Sequence, residues 1–137
     1  MKVEECLKAV GGEIVVGSGE KTFRGVSIDS RTIKEGELFV CINGDRFNGH
    51  NYIEEAQNKK AAAIILSDGS GVVSGKGKAP LVIRVKDTLK ALQELAQFYR
   101  KQIPVKVIGI TGTNGKSTTK EMTAAIMETK FKTIKLC

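Results

Sequence analysis

A glycine-rich stretch of the chain reads VIGITGTNGKST over residues 107–118. It overlaps a short apolar run at 105–110, which predicts a strand, and leads into residues 116–128, whose apolar side chains recur at helical spacing. A strand, a glycine-rich turn and a helix in this order are the context of a phosphate-binding loop. Gly112 and Gly115 permit backbone angles at which successive N–H groups point at phosphate oxygens.

The residues that open the predicted helix have the chemistry such a loop needs. The helix N-terminus supplies the positive end of its dipole. Lys116 would place its ammonium against the β- and γ-phosphates of a nucleotide, and the Ser117 hydroxyl would enter the coordination shell of Mg²⁺. We therefore expect Lys116 to be catalytic and Ser117 to be a metal ligand. The expected nucleotide-binding residues are Gly112, Thr113, Asn114, Gly115, Lys116, Ser117 and Thr118.

The glycine spacing of this loop departs from the standard G-x-x-x-x-G-K-[ST] pattern. Ile110 occupies the position of the first glycine, and Gly109 lies one residue upstream. A glycine-rich turn that binds no ligand is therefore the alternative interpretation.

Composition excludes several classes of protein. The chain has 137 residues, of which 41% are apolar, and 22 Lys plus Arg against 15 Asp plus Glu give a net charge of +7. These values exclude disordered, collagen-like and disulfide-scaffold chains. The apolar runs are too short for a membrane span, and no secretory signal is visible. Three widely spaced cysteines and one histidine favour neither a disulfide framework nor a zinc site, so we expect a cytoplasmic protein.

The positive charge does not predict a nucleic-acid partner. The lysines are scattered, and only five Phe and two Tyr are available to stack on bases. A solvated surface, or attraction of small polyanionic substrates such as nucleotides, explains the charge.

Strand and helix patterns alternate along the chain, which predicts the α/β class. We expect an α/β module at 1–86, a linker helix at 87–103 and the start of a second domain at 104–137. A single strand–helix–strand unit cannot bury a sheet, so the chain is expected to be a fragment. The expected helices are 3–10, 51–60, 87–101 and 116–128, and the expected strands are 14–16, 22–28, 37–42, 61–66, 81–85, 105–110 and 131–136.

Two details of this pattern are specific. Asp87 is an expected N-cap, and Leu89, Leu92, Ala96 and Tyr99 form the expected apolar stripe of the helix that follows it. Turns are expected at 17–19 and at 68–78, where glycines are frequent and a mobile loop is predicted.

A second polar constellation lies in the first module. It reads SIDSR at 27–31, GELFV at 36–40 and GDRFNGH at 44–50. Polar residues flanked by strands suggest loops at the end of a sheet, where ligands gather. An ion pair between Asp29 and Arg31 is the alternative to a binding role. Other polar groups, such as the Glu54-Glu55 pair, are interpreted as a solvated helix face.

These segments resemble the Mur ligases. Residues 109–119 (GITGTNGKSTT) resemble the ATP loop of that family, whose glycine spacing departs from the standard in the same way. Residues 27–31, 36–44 and 46–53 resemble its N-terminal uridine-nucleotide-binding domain. TKEM at 119–122 resembles the members that join D-alanyl-D-alanine to UDP-N-acetylmuramoyl-tripeptide.

The resemblance implies a small N-terminal α/β uridine-nucleotide-binding domain followed by the first β-loop-α of a P-loop ATPase domain. It implies ATP and Mg²⁺ as cofactors, UDP-N-acetylmuramoyl-tripeptide and D-alanyl-D-alanine as substrates, and an acyl phosphate intermediate. We also expect a monomer with no nucleic-acid partner and no membrane span. The fragment alone is expected to be inactive. The residues implied in the UDP-substrate pocket are Ser30, Arg31, Asn48, Gly49 and His50.

Three alternatives remain open. The chain could belong to the Mur-type ligase that adds the third peptide residue, to a folylpolyglutamate-type ligase, or to a nucleotide-binding module without catalysis. Two positions depart from the family pattern: Ser117 stands where threonine is commoner, and Asn48 stands where many members carry aspartate.

Overall fold

A computed structural model describes residues 1–17, 22–44, 47–67 and 79–136. The turn expected at 17–19 lies mostly outside these residues, and the loop expected at 68–78 lies wholly outside them. The chain divides into two compact units, Met1–Ile103 and Pro104–Cys137. Among the described residues, no helix is both long and apolar enough to cross a membrane.

The first unit is a mixed α/β fold around one five-stranded sheet with the strand order β1-β7-β6-β3-β2. Strand β1 pairs antiparallel with β7, and the other neighbours are parallel. Strands β4 and β5 form a separate hairpin. The elements are α1 (Val3–Val10), β1 (Glu13–Val16), β2 (Val26–Ser27), β3 (Leu38–Val40), β4 (Asn43–Gly44), β5 (Phe47–Asn48), a 3₁₀ turn (Gly49–Tyr52), α2 (Ile53–Asn58), β6 (Ala63–Ser67), β7 (Leu81–Val85) and α3 (Thr88–Gln102).

The sheet is buried on both faces, which explains the nearly continuous apolar runs of its central strands. In β3, Leu38 and Val40 point into the core beneath α1 and α3. Phe39, between them, points into the opposite core beneath α2. All three side chains are fully buried. This alternation is the two-residue period of a strand placed between two helical layers.

Helix α3 begins where the sequence predicts, but it buries a different face. The Asp87 carboxylate caps it by accepting the N–H groups of Leu89 at 2.8 Å and Lys90 at 3.0 Å. The core, however, contains Ala91 and Leu95, while Leu89 is 51% exposed and Tyr99 is 54% exposed. Of the predicted stripe, Leu92 packs against this core, whereas Leu89, Ala96 and Tyr99 are exposed, so most of the stripe is wrong. A stripe at 88, 91 and 95 also has helical spacing, and this is the stripe that is buried, because α3 packs against α1.

Helix α3, predicted to be a linker, thus contributes side chains to the core of the first unit. The division of the chain into functional domains at 86 and 103 stays a prediction.

The second unit contains one helix, α4 (Lys116–Glu128), with the predicted bounds. The strand predicted at 105–110 is wrong, as is the one at 131–136. A strand requires a hydrogen-bonded neighbour, and no described segment pairs with either stretch. Val107 is accordingly 70% exposed. Helix α4 buries Ala124, whereas Met122 and Ile126 are exposed.

Candidate functional site

Two of the three polar segments of the first unit, 27–31 and the described part of 44–50, adjoin one edge of the sheet, whereas Gly36 and Glu37 precede β3 and lie at the opposite edge. Because β2, β3, β6 and β7 are parallel, their carboxyl ends lie together. The segment 29–31 follows β2, the β4–β5 hairpin that carries Asn48 follows β3, and Ser67 ends β6. In open α/β sheets, ligands bind outside this edge. The fold therefore brings two segments of the second polar constellation, but not the segment 36–40, to the edge where a ligand is expected.

His50 connects the hairpin to the sheet. Its Nε2 atom accepts the backbone N–H of Ser67 at 3.1 Å, and its Nδ1 atom lies 2.8 Å from Oδ1 of Asn48. Because Nε2 is an acceptor, the neutral ring carries its proton on Nδ1 and donates it to Asn48. Burial lowers the pKa of His50 below its ordinary 6.5. The accepted N–H of Ser67 and the lowered pKa both favour the neutral ring.

Gly49 lets the hairpin approach the sheet backbone. Its N–H donates to the carbonyl of Ile42 at 2.8 Å. A Cβ at this position would lie 2.8 Å from the Ile42 nitrogen and 3.0 Å from the Cys41 carbonyl carbon. Both are backbone atoms that no side-chain rotation can move. Any larger residue would push the turn that carries Asn48 and His50 away from β3.

Arg31 follows β2 and is a highly exposed cation among the described residues of this edge. Its side chain is 82% exposed, and Nη2 lies 2.7 Å from Oδ2 of Asp29. Nε also donates to Oδ1 of Asp29 at 3.0 Å. Hydrogen bonds from Arg31 lower the pKa of the Asp29 carboxyl to about 2. The ion pair that the sequence offers as an alternative is thus present, but the guanidinium has further N–H groups directed away from Asp29.

Ser30, in contrast, is only 2% exposed. Its hydroxyl donates to Oε2 of Glu55 at 2.7 Å. Lys59 donates to the carbonyls of Ser30 at 2.8 Å and Arg31 at 2.9 Å. The Glu55 side chain is 41% exposed, as expected for a helix face, but it also binds the 29–31 turn, which the sequence does not indicate. The i, i+4 spacing of Glu55 and Lys59 could have suggested that they pair, but not that they contact a turn more than twenty residues earlier.

An aromatic pair that the sequence analysis did not single out flanks Asn48 and His50. The rings of Phe47 and Tyr52 stack with centroids 4.9 Å apart and planes 13° apart. Their side chains are 43% and 36% exposed. The pair adds an apolar surface on which a planar ligand can stack.

The glycine-rich loop of the second unit leads into the N-terminus of α4. Gly115 is the N-cap and has φ +74°, and no side chain caps the helix. The N–H of Thr119 donates to the Gly115 carbonyl at 2.9 Å. The N–H groups of the three preceding residues, 116–118, therefore have no acceptor within the helix. Together with the helix dipole they can bind an anion.

The Lys116 side chain folds back over this loop. Its Nζ atom donates to the carbonyl of Gly112 and, at 3.5 Å, to that of Thr113. Thr113, Asn114 and Ser117 are exposed beside it. Within the described ranges, no group of three or more His, Cys, Asp or Glu residues could hold a metal ion.

A comparison with protein families matches residues 22–100 to the model described as Mur ligase family, catalytic domain. This is more than half of the chain. The chain belongs to the Mur ligase family. The matched residues include the 29–31 turn, the β4–β5 hairpin and α2, so the polar edge of the sheet lies inside the family region.

Individual Mur ligases resemble the chain over nearly its whole length. It is 36% identical over 137 residues to the UDP-N-acetylmuramoyl-tripeptide–D-alanyl-D-alanine ligase of Treponema pallidum, covering 96% of this chain and 30% of that relative. The crystal structure of MurF from Acinetobacter baumannii superimposes with a TM-score of 0.77 at 27% identity, over 94% of this chain and 28% of that one. The MurF ligase of Thermotoga maritima in complex with ADP superimposes with a TM-score of 0.62 at 31% identity, over 78% and 24% of the two chains.

These alignments confirm the predicted fold class and family. They also show that the chain spans about three tenths of the length of the relatives it matches.

Proposed function

We propose that the chain is the UDP-substrate-binding and ATP-loop portion of a cytoplasmic ligase that joins D-alanyl-D-alanine to UDP-N-acetylmuramoyl-tripeptide. One observation carries the proposal. The N-terminus of α4, which no side chain caps and where the N–H groups of 116–118 have no acceptor within the helix, follows a glycine-rich loop in a chain similar over 137 residues to such a ligase. Residues of both units contribute to the reaction.

ATP would bind at the glycine-rich loop. The N–H groups from Gly112 to Thr118 would donate to its β- and γ-phosphate oxygens. Lys116 would exchange the carbonyls of Gly112 and Thr113 for phosphate oxygens, because a charged acceptor forms the stronger hydrogen bond. The ammonium would then stabilise the charge that develops during phosphoryl transfer.

Mg²⁺ fits the donor set of this loop. The ion takes most of its ligands from phosphates and water and needs only one or two protein oxygens, and the exposed Ser117 hydroxyl supplies one. When bound, the ion neutralises charge on the transferring phosphate.

The UDP moiety would bind at the carboxyl edge of the sheet. Arg31 would donate its outward N–H groups to the diphosphate. Asn48 and His50 would contact the nucleotide from the turn that Gly49 holds against Ile42. Ser30 would contribute mainly by holding this edge together, because its buried hydroxyl already donates to Glu55.

The proposed reaction has two steps. The γ-phosphoryl group moves to the terminal carboxylate of the peptide, ADP leaves, and an acyl phosphate forms. The amine of D-alanyl-D-alanine then attacks the acyl carbon and loses a proton, an amide bond forms, and phosphate leaves with the electrons of the broken C–O bond.

Phosphate release by a ligase polypeptide that carries residues 1–137 tests the proposal. We expect release that requires both UDP-N-acetylmuramoyl-tripeptide and D-alanyl-D-alanine. Phosphate release that requires diaminopimelate or lysine together with the UDP-linked dipeptide would identify the ligase that adds the third residue. Release that requires glutamate and a folate would identify a folylpolyglutamate-type ligase. ATP binding without release in any mixture would indicate a non-catalytic module. Sedimentation of the same polypeptide tests the proposed monomer.

A further inference from the structure

The segment that carries Arg31 is a tight turn rather than an extended loop. The Asp29 carbonyl accepts the N–H groups of Thr32 at 3.2 Å and Ile33 at 3.1 Å. Ile33 is buried, which anchors the end of the turn in the core. The carbonyls of Ser30 and Arg31 are therefore left at the open end of one helical turn, where orphan carbonyls need donors.

Two side chains of the α2 region close this turn. Glu55 accepts the Ser30 hydroxyl, and Lys59 donates to both open carbonyls. The two also pair with each other, with Lys59 Nζ 3.3 Å from Oε1 of Glu55. Ala56, the residue after Glu55, is fully buried, so the helix that holds them is fixed against the sheet.

We propose that Glu55 and Lys59 are positioning residues that hold the backbone of Ser30 and Arg31 so that the Arg31 guanidinium faces the diphosphate of the UDP-substrate. This inference rests on the proposed function of the sheet edge. Neither residue needs to touch the nucleotide. Fixing the turn before binding removes the entropy cost of ordering it when the diphosphate arrives.

The charges at the turn explain why both Glu55 and Lys59 are needed. Asp29, Arg31, Glu55 and Lys59 sum to zero, so loss of one changes the potential at Arg31 as well as its backbone support. The chain offers matched controls for the charge alone. Glu54 is exposed beside Glu55, and Lys60, beside Lys59, pairs with Glu35 at 3.5 Å.

Calorimetric titration of the 137-residue chain with UDP tests the inference. We expect Glu55→Ala and Lys59→Met to weaken binding about tenfold, the effect of one hydrogen bond to a charged group. Lys59→Arg retains donors for both carbonyls and is expected to restore binding to within about twofold. Glu54→Ala and Lys60→Met should bind as the wild type does. Equal affinities for the four loss-of-charge variants would overturn the positioning role.

Hydrogen exchange at the amides of Thr32 and Ile33 supplies a second readout. We expect Lys59→Met to accelerate exchange at these two amides, while Lys60→Met leaves it unchanged. Variants that unfold more easily but bind UDP normally when folded would show a structural role only, and the inference would fail. A wild-type chain that does not bind UDP would instead remove the proposed function. If Arg31→Ala weakens UDP binding but Glu55→Ala and Lys59→Met bind UDP normally, the positioning role is contradicted while the proposed function stands.

Discussion

The imidazole of His50 accepts the backbone N–H of Ser67 at 3.1 Å and thereby joins the turn after β5 to the end of β6. The same ring donates from Nδ1 to Asn48. The bond from Ser67 requires an unprotonated Nε2 and hence the neutral ring, whereas the bond to Asn48 requires only a proton on Nδ1. The geometry of the proposed UDP pocket is therefore linked to the protonation of one side chain.

Stability should depend on this protonation. Burial lowers the pKa of His50 in the folded chain below 6.5, so the unfolded chain binds a proton at a higher pH than the folded chain does. We expect the free energy of unfolding to fall as pH decreases from 7.5 through 6.5, and the decrease to level off below the pKa of the folded state. Urea denaturation followed by circular dichroism measures this.

His50→Gln is the control for the pH series. Its unfolding free energy should vary less between pH 7.5 and 5.5 than that of the wild type. The Asp29–Arg31 pair does not contribute in this window, because Asp29 has an ordinary pKa of 3.8 and one of about 2 when folded. Identical pH profiles for the two chains would show that His50 is not the titrating group.

Gly49→Ala should destabilise the first unit by about 2 kcal/mol, because the new Cβ would overlap the backbone of Ile42 and Cys41. Gly44→Ala is a matched control in the same hairpin, since its Cβ would lie 3.7 Å from the Phe47 carbonyl oxygen, an ordinary contact. Denaturation midpoints of both variants check this. Equal midpoints would mean that the turn can move away from β3 at little cost.

Lys116→Ala in a ligase polypeptide carrying this chain should lower turnover about 100-fold or more, because a developing phosphate charge loses its partner. Lys106→Ala removes an exposed lysine ten residues earlier and should leave turnover within about twofold of the wild type. Steady-state phosphate release measures both. A small effect of Lys116→Ala would contradict its catalytic assignment.

The two buried cysteines should be unreactive in the native chain. Burial raises the pKa of the Cys6 thiol to about 11 and that of Cys41 to about 12. At pH 8 the thiolate fraction of Cys6 is then about one in a thousand. Mass spectrometry of a Cys137→Ser variant treated with iodoacetamide should show no adduct before denaturation and two after it. Rapid native labelling would contradict the packing of α1 and β3.

Much of the fold could be predicted where local chemistry decides it. Asp87 marks the start of α3 because a carboxylate caps free N–H groups in any context. The run Leu81–Val85 forms the predicted strand because its apolar side chains suit both buried faces of the sheet. The register of burial on α3 could not be predicted, since it depends on where α1 packs.

The candidate site likewise combines features that the local sequence determines with contacts that depend on the fold. The glycine-rich loop and the helix after it are local, and the sequence placed Gly115 and Lys116 at their junction. The contact of Ser30 with Glu55 joins segments that only the folded sheet brings together. The strand expected at 105–110 failed for a related reason, because a strand pattern does not supply the strand that must pair with it.

The ATP-binding role of residues 112–118 is tested most directly by an NMR titration, with Mg²⁺ and ATP, of a ¹⁵N-labelled ligase polypeptide that carries this chain. We predict that the amide resonances of residues 112–118 shift together, and that Lys116→Ala abolishes the shifts. Unchanged resonances throughout this loop, with shifts confined to other parts of the chain, would contradict the assignment of residues 112–118 as the ATP-binding loop.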